Sequence, residues 1–409
     1  MNTLPLHVHS QQPGMDPASE RQICSELLPP ERSGHTAVVE DNLLYVWGGF
    51  RSVAGEVVYL LSDEIWVYDY ERGVWKLFNT TGEVPPSMCG TCGCFLNRHL
   101  YIFGGCDDIG ETNEIYCVNL TDGKYTWRKI IHDIGSAPSR RDKLSCWVYN
   151  GKIIYFGGYG EKPLDDFDIR DKSFIIDAAS WLEDVLWGWN NEVHIFDPMK
   201  ASWSEPQTHG RAPAPRAAHA SATLGCRGYI CGGRVEGTWM SDIHCLDLES
   251  WTWSEIIPAS NYPVGRSWHT ITAVSDGTLF LIGGLSVDYK PMSDRWLFDV
   301  KTKKWREVEH SFKSKPRLWH TASPGNDFDV IVFGGSCDYI HDVFTGHCND
   351  ALILQMQPYP LFRICEDYIA KTVWNNKVLR NQLPLLPLKL LTAVQRRTSF
   401  YRPSKNQQH

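Results

Sequence analysis

The sequence predicts an all-β protein made of six copies of one four-stranded unit, followed by a small C-terminal helical segment. Double glycines close an apolar or aromatic run six times, at Gly48-Gly49, Gly104-Gly105, Gly157-Gly158, Gly232-Gly233, Gly283-Gly284 and Gly334-Gly335. A tryptophan at a matching place follows five of the pairs, as Trp75, Trp127, Trp203, Trp253 and Trp305. The pairs recur at roughly fifty residues, apart from one longer interval between Gly158 and Gly232, and a period of that length marks a repeat architecture.

The fifth unit shows how each is built. Gly265 to Gly284 reads GRSWHTITAVSDGTLFLIGG, two short apolar strands around a turn at Ser275-Asp276-Gly277, which is a hairpin. A third strand, WLFDV, follows, and Trp305 marks a fourth. Such a blade cannot bury both faces alone; six of them around an axis cover one another and protect the sheet edges. The sixth unit ends after Ala351 to Met356 without its tryptophan strand. Ile23 to Leu28 is therefore expected to supply the missing outer strand, which places the propeller at 23–357. A disordered tail is expected at 1–22, a helical segment at 358–400 and a second disordered tail at 401–409.

Bulk properties exclude several functions. The 409 residues are 43% hydrophobic, enough for a large core, and the net charge of −8 gives no basic face for nucleic acid. The thirteen cysteines are odd in number and follow no framework spacing. With no leader and no apolar run long enough to span a bilayer, the reading is a reduced, soluble, cytoplasmic protein without membrane attachment, with the nucleus as the alternative compartment.

Comparing the copies with one another separates scaffold from specificity. Arg32, Arg141, Arg216, Arg266 and Arg317 share one repeat position, and His35, His219, His269 and His320 another. Residues repeated this way are expected to bond between blades, and the histidines are read as structural because no carboxylate recurs beside them. Cys89, Cys92 and Cys94 lack a second pair at zinc spacing. No metal, no cofactor and no catalytic residue is expected.

The positions that vary are the informative ones. The residue before the histidine reads Gly34, Cys89, Lys143, Ala218, Trp268 and Trp319; the residue after the glycine pair reads Phe50, Cys106, Tyr159, Arg234, Leu285 and Ser336. In an antiparallel blade these two places lie at the same end, so both sets ring one mouth. The long interval from Gly160 to Asn191 leaves from that end with Trp181, Trp187 and Trp189, and is expected to wall the mouth. Aromatic groups with one or two cations suit a peptide end bearing a carboxylate.

After Tyr359 the β pattern stops, and residues 360–398 are predicted to form two apolar-periodic helices separated by Pro384 and Pro387. Leu361, Cys365 and Ile369 stand at i, i+4 spacing in the first. About twenty residues on, Leu386, Pro387, Leu390 and Val394 form a second apolar pattern.

The repeats resemble six-bladed kelch β-propellers. Leu361, Cys365 and Ile369 resemble the elongin-binding box of ubiquitin-ligase receptors, and Leu386, Pro387, Leu390 and Val394 resemble a cullin-2 box. Together these resemble the kelch-domain substrate receptors of cullin-2 RING ubiquitin ligases, close to the readers of proteins ending in glycine. That resemblance implies elongin B, elongin C and cullin-2 with a RING subunit as partners, and the C-terminal peptide of a substrate protein as ligand. It implies that Lys143, Tyr159, Trp189, Arg234, Ser267, Trp268 and Trp319 line the pocket, with Arg234 and Ser267 holding the terminal carboxylate. Trp239 departs from the pattern, standing where glycine-end readers carry a second arginine. The alternatives are a kelch-type copper oxidase, for which no histidine pair reaches the mouth, and a cytoskeletal scaffold, which leaves Leu361, Cys365 and Pro387 unexplained.

Overall fold

The computed structural model describes residues 8–9 and 27–395, apart from 133, 169, 181–184, 309–314, 339–345, 358, 360, 388–389 and 392–393. Six sheets of four to six strands form the blades, and two small two-stranded ribbons connect the second and third strands of blades 1 and 4. The first four strands of each blade, counted outward from the inner one, run antiparallel; blade 1, for example, is Thr36–Glu40, Leu43–Trp47, Glu64–Asp69 and Val74–Asn79. Second strands are almost wholly apolar because both their faces meet neighbouring blades: Leu100, Ile102 and Phe103 are at most 1% exposed.

The cores lie between blades. The fourth-strand tryptophan of one blade packs on the end of the second strand of the blade before it, as in Trp127 on Trp47, Trp203 on Phe103 and Trp253 on Phe156, with ring centroids 5.4, 5.0 and 5.3 Å apart. Trp75 of blade 1 closes the circle on Phe333 of blade 6, at 4.9 Å. Burying aromatic area of this kind is worth several kcal/mol per ring.

The expectation for ring closure requires correction. Residues 23–26 lie outside the described residues, and Leu27 and Leu28 are more than half exposed and belong to no strand. The outer strand of blade 6 is Val8–His9, inside the stretch expected to be a disordered tail, antiparallel to Ala351–Leu354 with Val8 opposite Leu354. That register matches Trp75 opposite Tyr68 and Trp305 opposite Phe298. Val8 therefore takes the position that tryptophan holds in the other five blades, and a strand lacking its tryptophan is not recognisable by the repeat signature.

A second set of bonds closes the ring. The second glycine of each pair donates its amide to the next blade: Gly49 to Met88, Gly105 to Arg141, Gly158 to Arg216, Gly233 to Arg266, Gly284 to Arg317 and Gly335 to Arg32, all 2.7–3.0 Å. Gly334 shows why glycine recurs: its φ is +65°, and a Cβ would lie 2.6 Å from the His35 ring of the next blade.

The repeated histidines bond between blades as expected, whereas the side chains of the repeated arginines bond within their own blade. Arg216 donates to the Gly232 carbonyl and forks onto Asp242 at 2.7 and 2.8 Å, and Arg266 does the same with Gly283 and Asp294. Three histidines reach a hydroxyl of the preceding blade: His35 to Thr321, His219 to Ser145 and His320 to Thr270, at 2.8–3.0 Å. Burial holds all four imidazoles well below their ordinary range, His219 and His320 at about 3. Among the described residues no group of His, Cys, Asp and Glu is arranged to hold a metal.

Beyond blade 6, α1 (Leu361–Asn375) and α2 (Lys377–Gln382) form the helical segment, with Asn376 capping α2 through bonds to the Val378 and Leu379 amides. Arg363 anchors α1 by pairing with Asp327, lying 3.8 Å from Asp329 and stacking 3.7 Å from the Tyr359 ring centroid. Asp327 and Asp329 belong to the turn that enters the strand Val330–Phe333, whereas the glycine pair of that blade follows Phe333. The helices therefore attach at the opposite end of the blade from the mouth. No helix among the described residues is long and apolar enough to cross a membrane.

Candidate functional site: the propeller mouth

Six residues at one repeat position form the throat of the channel. Gly34, Gly90, Lys143, Ala218, Trp268 and Trp319 all adopt left-handed backbone, with φ between 53° and 68°. Their amides join head to tail in a closed circle: Gly34 donates to Trp319, Trp319 to Trp268, Trp268 to Ala218, Ala218 to Lys143, Lys143 to Gly90 and Gly90 to Gly34, at 2.8–3.1 Å. For Lys143, Trp268 and Trp319 that conformation is strained, at roughly 1–3 kcal/mol each, and the circle of bonds holds it. The member from blade 2 is Gly90, which corrects the assignment of Cys89; Cys89 pairs instead with Cys106 across the rim. Matching bridges, Ser33 to Phe50, Ala217 to Arg234, Ser267 to Leu285 and Leu318 to Ser336, place both variable sets at one end.

The throat cavity, about 150 Å³, is lined by Lys143, Trp268 and Trp319 above the four histidines. Trp268 and Trp319 face each other at 5.2 Å, and Phe50 meets Trp319 edge-on at 5.4 Å. Arg234 lies 4.9 Å from the Trp268 ring and 5.9 Å from that of Trp239, a distance range in which cation and ring attract. Burial lowers its pKa, opposed by Tyr289 and by the charges of Asp142 and Asp177. No ion pair of Arg234 occurs among the described residues. The Trp268 indole nitrogen, buried beside it, has no hydrogen-bond partner there either.

Lys143 behaves differently. It pairs with the fully buried Asp142 and lies 5.8 and 5.9 Å from the Tyr159 and Trp319 rings. Burial acts to lower its pKa, but the adjacent Asp142 outweighs burial and raises it. One of the two cations of the mouth is thus neutralised within the protein. Sequence reasoning missed Asp142; the available signal was a carboxylate at the place where other blades carry Ser33, Ala217, Ser267 and Leu318.

Three other predicted residues fall in a second layer. Ser267 is fully buried, and its oxygen accepts from the Trp239 indole at 3.0 Å. Trp239, on the ribbon formed with Arg234, meets Tyr289 edge-on at 5.2 Å. Trp189, 5% exposed, stands behind Tyr159 at 5.3 Å. The wall from blade 3 is a continuation of its own strands, Lys152–Pro163 and Val185–Asp197, which run past the glycine pair and add Phe174–Ile176. Tyr159 is tied into it by donating to Asp177 at 3.0 Å. Trp187 stacks on Tyr159 at 6.2 Å, and Trp181 lies outside the described residues.

The C-terminal patterns separate. Leu361 is 75% exposed and Cys365 is exposed, with Phe362 and Tyr368 also bared. Ile369 is half-buried and lines a groove of about 300 Å³ with Val373, Leu379 and Leu386. The split follows from geometry, since each i, i+4 step turns about 40° past a full circle. Leu386 and Leu390 are half-buried, Pro387 is exposed and Val394 is fully buried.

A profile described as the KLHDC2/KLHL20/DRC7 Kelch-repeats domain matches residues 34–284 and 189–335. The chain belongs to the kelch-repeat family. Human kelch domain-containing protein 1 is 50% identical over 379 residues, 91% of each chain. Human kelch domain-containing protein 2 is 42% identical over 393 residues, 93% of this chain and 94% of that one. The solved structure of YjhT shares the fold, with a TM-score of 0.59 at 17% identity over 80% of this chain and 95% of that chain. The kelch signature explains the glycine pairs and outer tryptophans, whereas Arg234, Lys143, Trp268 and Trp319 differ from blade to blade.

Proposed function

We propose that this kelch protein is the substrate-recognition subunit of a cullin-2 RING ubiquitin ligase, binding the C-terminal end of target proteins in the mouth. It is not an enzyme in this reading; ubiquitin transfer belongs to its partners. The observation that carries it is Arg234, a half-buried guanidinium between two indoles with no carboxylate paired to it among the described residues. A peptide carboxylate would supply the missing charge and, in a desolvated site, a forked pair of bonds. The Trp268 N–H offers another donor. Trp239, in place of a second arginine, leaves Arg234 as the one cation of this clamp.

Leu361 and Cys365 on the bare face of α1 suit docking to elongin C with its partner elongin B, with cullin-2 and its RING subunit engaging the segment from Leu386 to Val394. Attachment of the helices away from the mouth leaves substrate and ligase separate ends of the propeller. The test is co-purification with elongins B and C. The native chain should retain both, and a Leu361→Ala/Cys365→Ala variant should retain neither while melting at the same temperature. Retention of both elongins by the variant, or of neither by the native chain, contradicts the reading.

A further inference from the structure

Of the six cross-strand pairs that ring the mouth, only the pair in blade 2 consists of two cysteines. Cys89 and Cys106 exchange both backbone hydrogen bonds, at 2.9 and 2.8 Å, and their sulfurs lie 3.6 Å apart. A pair that exchanges both bonds holds its Cα atoms at about 5.5 Å, inside the span a disulfide requires. The backbone is already in position, so rotation of the two side chains brings the sulfurs together. Cys106 is half-exposed at the rim and Cys89 is buried behind it.

We infer that Cys89 and Cys106 form an oxidisable dithiol at the mouth, which takes hydrogen peroxide and becomes a disulfide across the rim of blade 2. Cys106, the accessible thiol, attacks one peroxide oxygen and the O–O bond breaks. The departing hydroxide takes a proton and leaves as water, and the sulfur is left as a sulfenic acid. Cys89 then attacks that sulfur, the S–O bond breaks, and a second water leaves with the remaining thiol proton. Two electrons pass from the sulfurs to peroxide. The Cys89 thiol beside it, burial and the Asp142 carboxylate push the Cys106 thiol up while Lys143 pulls it down, so little thiolate is present to attack and the reaction is slow. The inference is independent of the ligase reading.

The test treats the full-length chain with millimolar hydrogen peroxide, alkylates the remaining thiols and digests without reductant. Mass spectrometry should find a peptide linking Cys89 to Cys106, two hydrogens lighter than its reduced parts and released by reductant. The oxidised protein should melt a few degrees higher, because the cross-link closes a loop in the unfolded chain. Cys106→Ser should lose both the linked peptide and the shift in melting temperature. The inference is overturned if Cys89 is recovered alkylated after peroxide while Cys106 carries a higher oxide, if Cys106 links to another cysteine, or if both remain free thiols.

Discussion

A guanidinium held against indoles without a carboxylate has lost hydration on folding and regains the loss only when an anion arrives, which makes Arg234 the most informative side chain in the mouth. Arg234→Leu keeps the apolar contact with Trp268 and removes the charge. In the proposed role it should weaken binding of a tail peptide at least about 30-fold, the low end of what truncating a desolvated charge partner costs, with no fall in melting temperature; titration calorimetry and thermal unfolding check both. Lys143→Met should cost less, because Asp142 already answers that charge, and it should destabilise the fold by leaving Asp142 buried and unpaired. Arg295 is 3% exposed, its three guanidinium nitrogens have no partner among the described residues, and it occupies the place of Ile65, Ile115 and Ile243 in other blades. Burial and Arg317 lower its pKa. Arg295→Leu should raise the melting temperature, since an apolar residue at a buried charge position is commonly neutral or stabilising; a lowered melting temperature would show that the charge is satisfied.

At the scale of elements, the inner strands carry a pH dependence. The folded protein keeps His35, His219, His269 and His320 neutral, whereas in the unfolded chain they take up protons near pH 6.5. The unfolded state thus binds more protons as pH falls from about 6.5 towards 3, and stability declines with falling pH at up to about 1.4 kcal/mol per pH unit for each histidine. Asp329, pushed up to about 6 by burial, opposes this with one proton over part of the window. Melting temperature should therefore drop between pH 7 and 5, before ordinary carboxylates titrate. His219→Asn should reduce that slope; an unchanged slope would mean the imidazole is not held neutral. These histidines were legible as scaffold from repetition alone. The α1 stripe was legible only in part: Leu361 and Cys365 are bared as the spacing suggests, but Ile369 turns into the groove, because residue spacing fixes a helix face and not what the face meets.

For the whole molecule, closure is the feature the sequence concealed. Glycine pairs and tryptophans announced the six blades because each unit must solve the same packing problem, and repeated problems leave repeated residues. The outer strand of blade 6 comes from the other end of the chain, with Val8 where the pattern requires tryptophan, so nothing in the pattern pointed to it. Removing residues 1–10 should lower the melting temperature and promote association through the bared edge of Ala351–Leu354, whereas Leu27→Pro should leave the propeller intact; light scattering and thermal unfolding distinguish them. The mouth was legible as a ring because variation among copies marks what the scaffold does not need. Its electrostatics were not, since the pairing of Lys143 with Asp142, which leaves Arg234 without an ion pair among the described residues, depends on side-chain geometry.

The most direct measurement is calorimetric titration of the mouth with one glycine-ending peptide in two forms, free carboxylate and C-terminal amide. The account predicts that the free acid binds and that the amide, or the Arg234→Leu variant given the acid, binds at least about 30-fold more weakly. Equal binding of acid and amide, or binding untouched by the loss of Arg234, would contradict it.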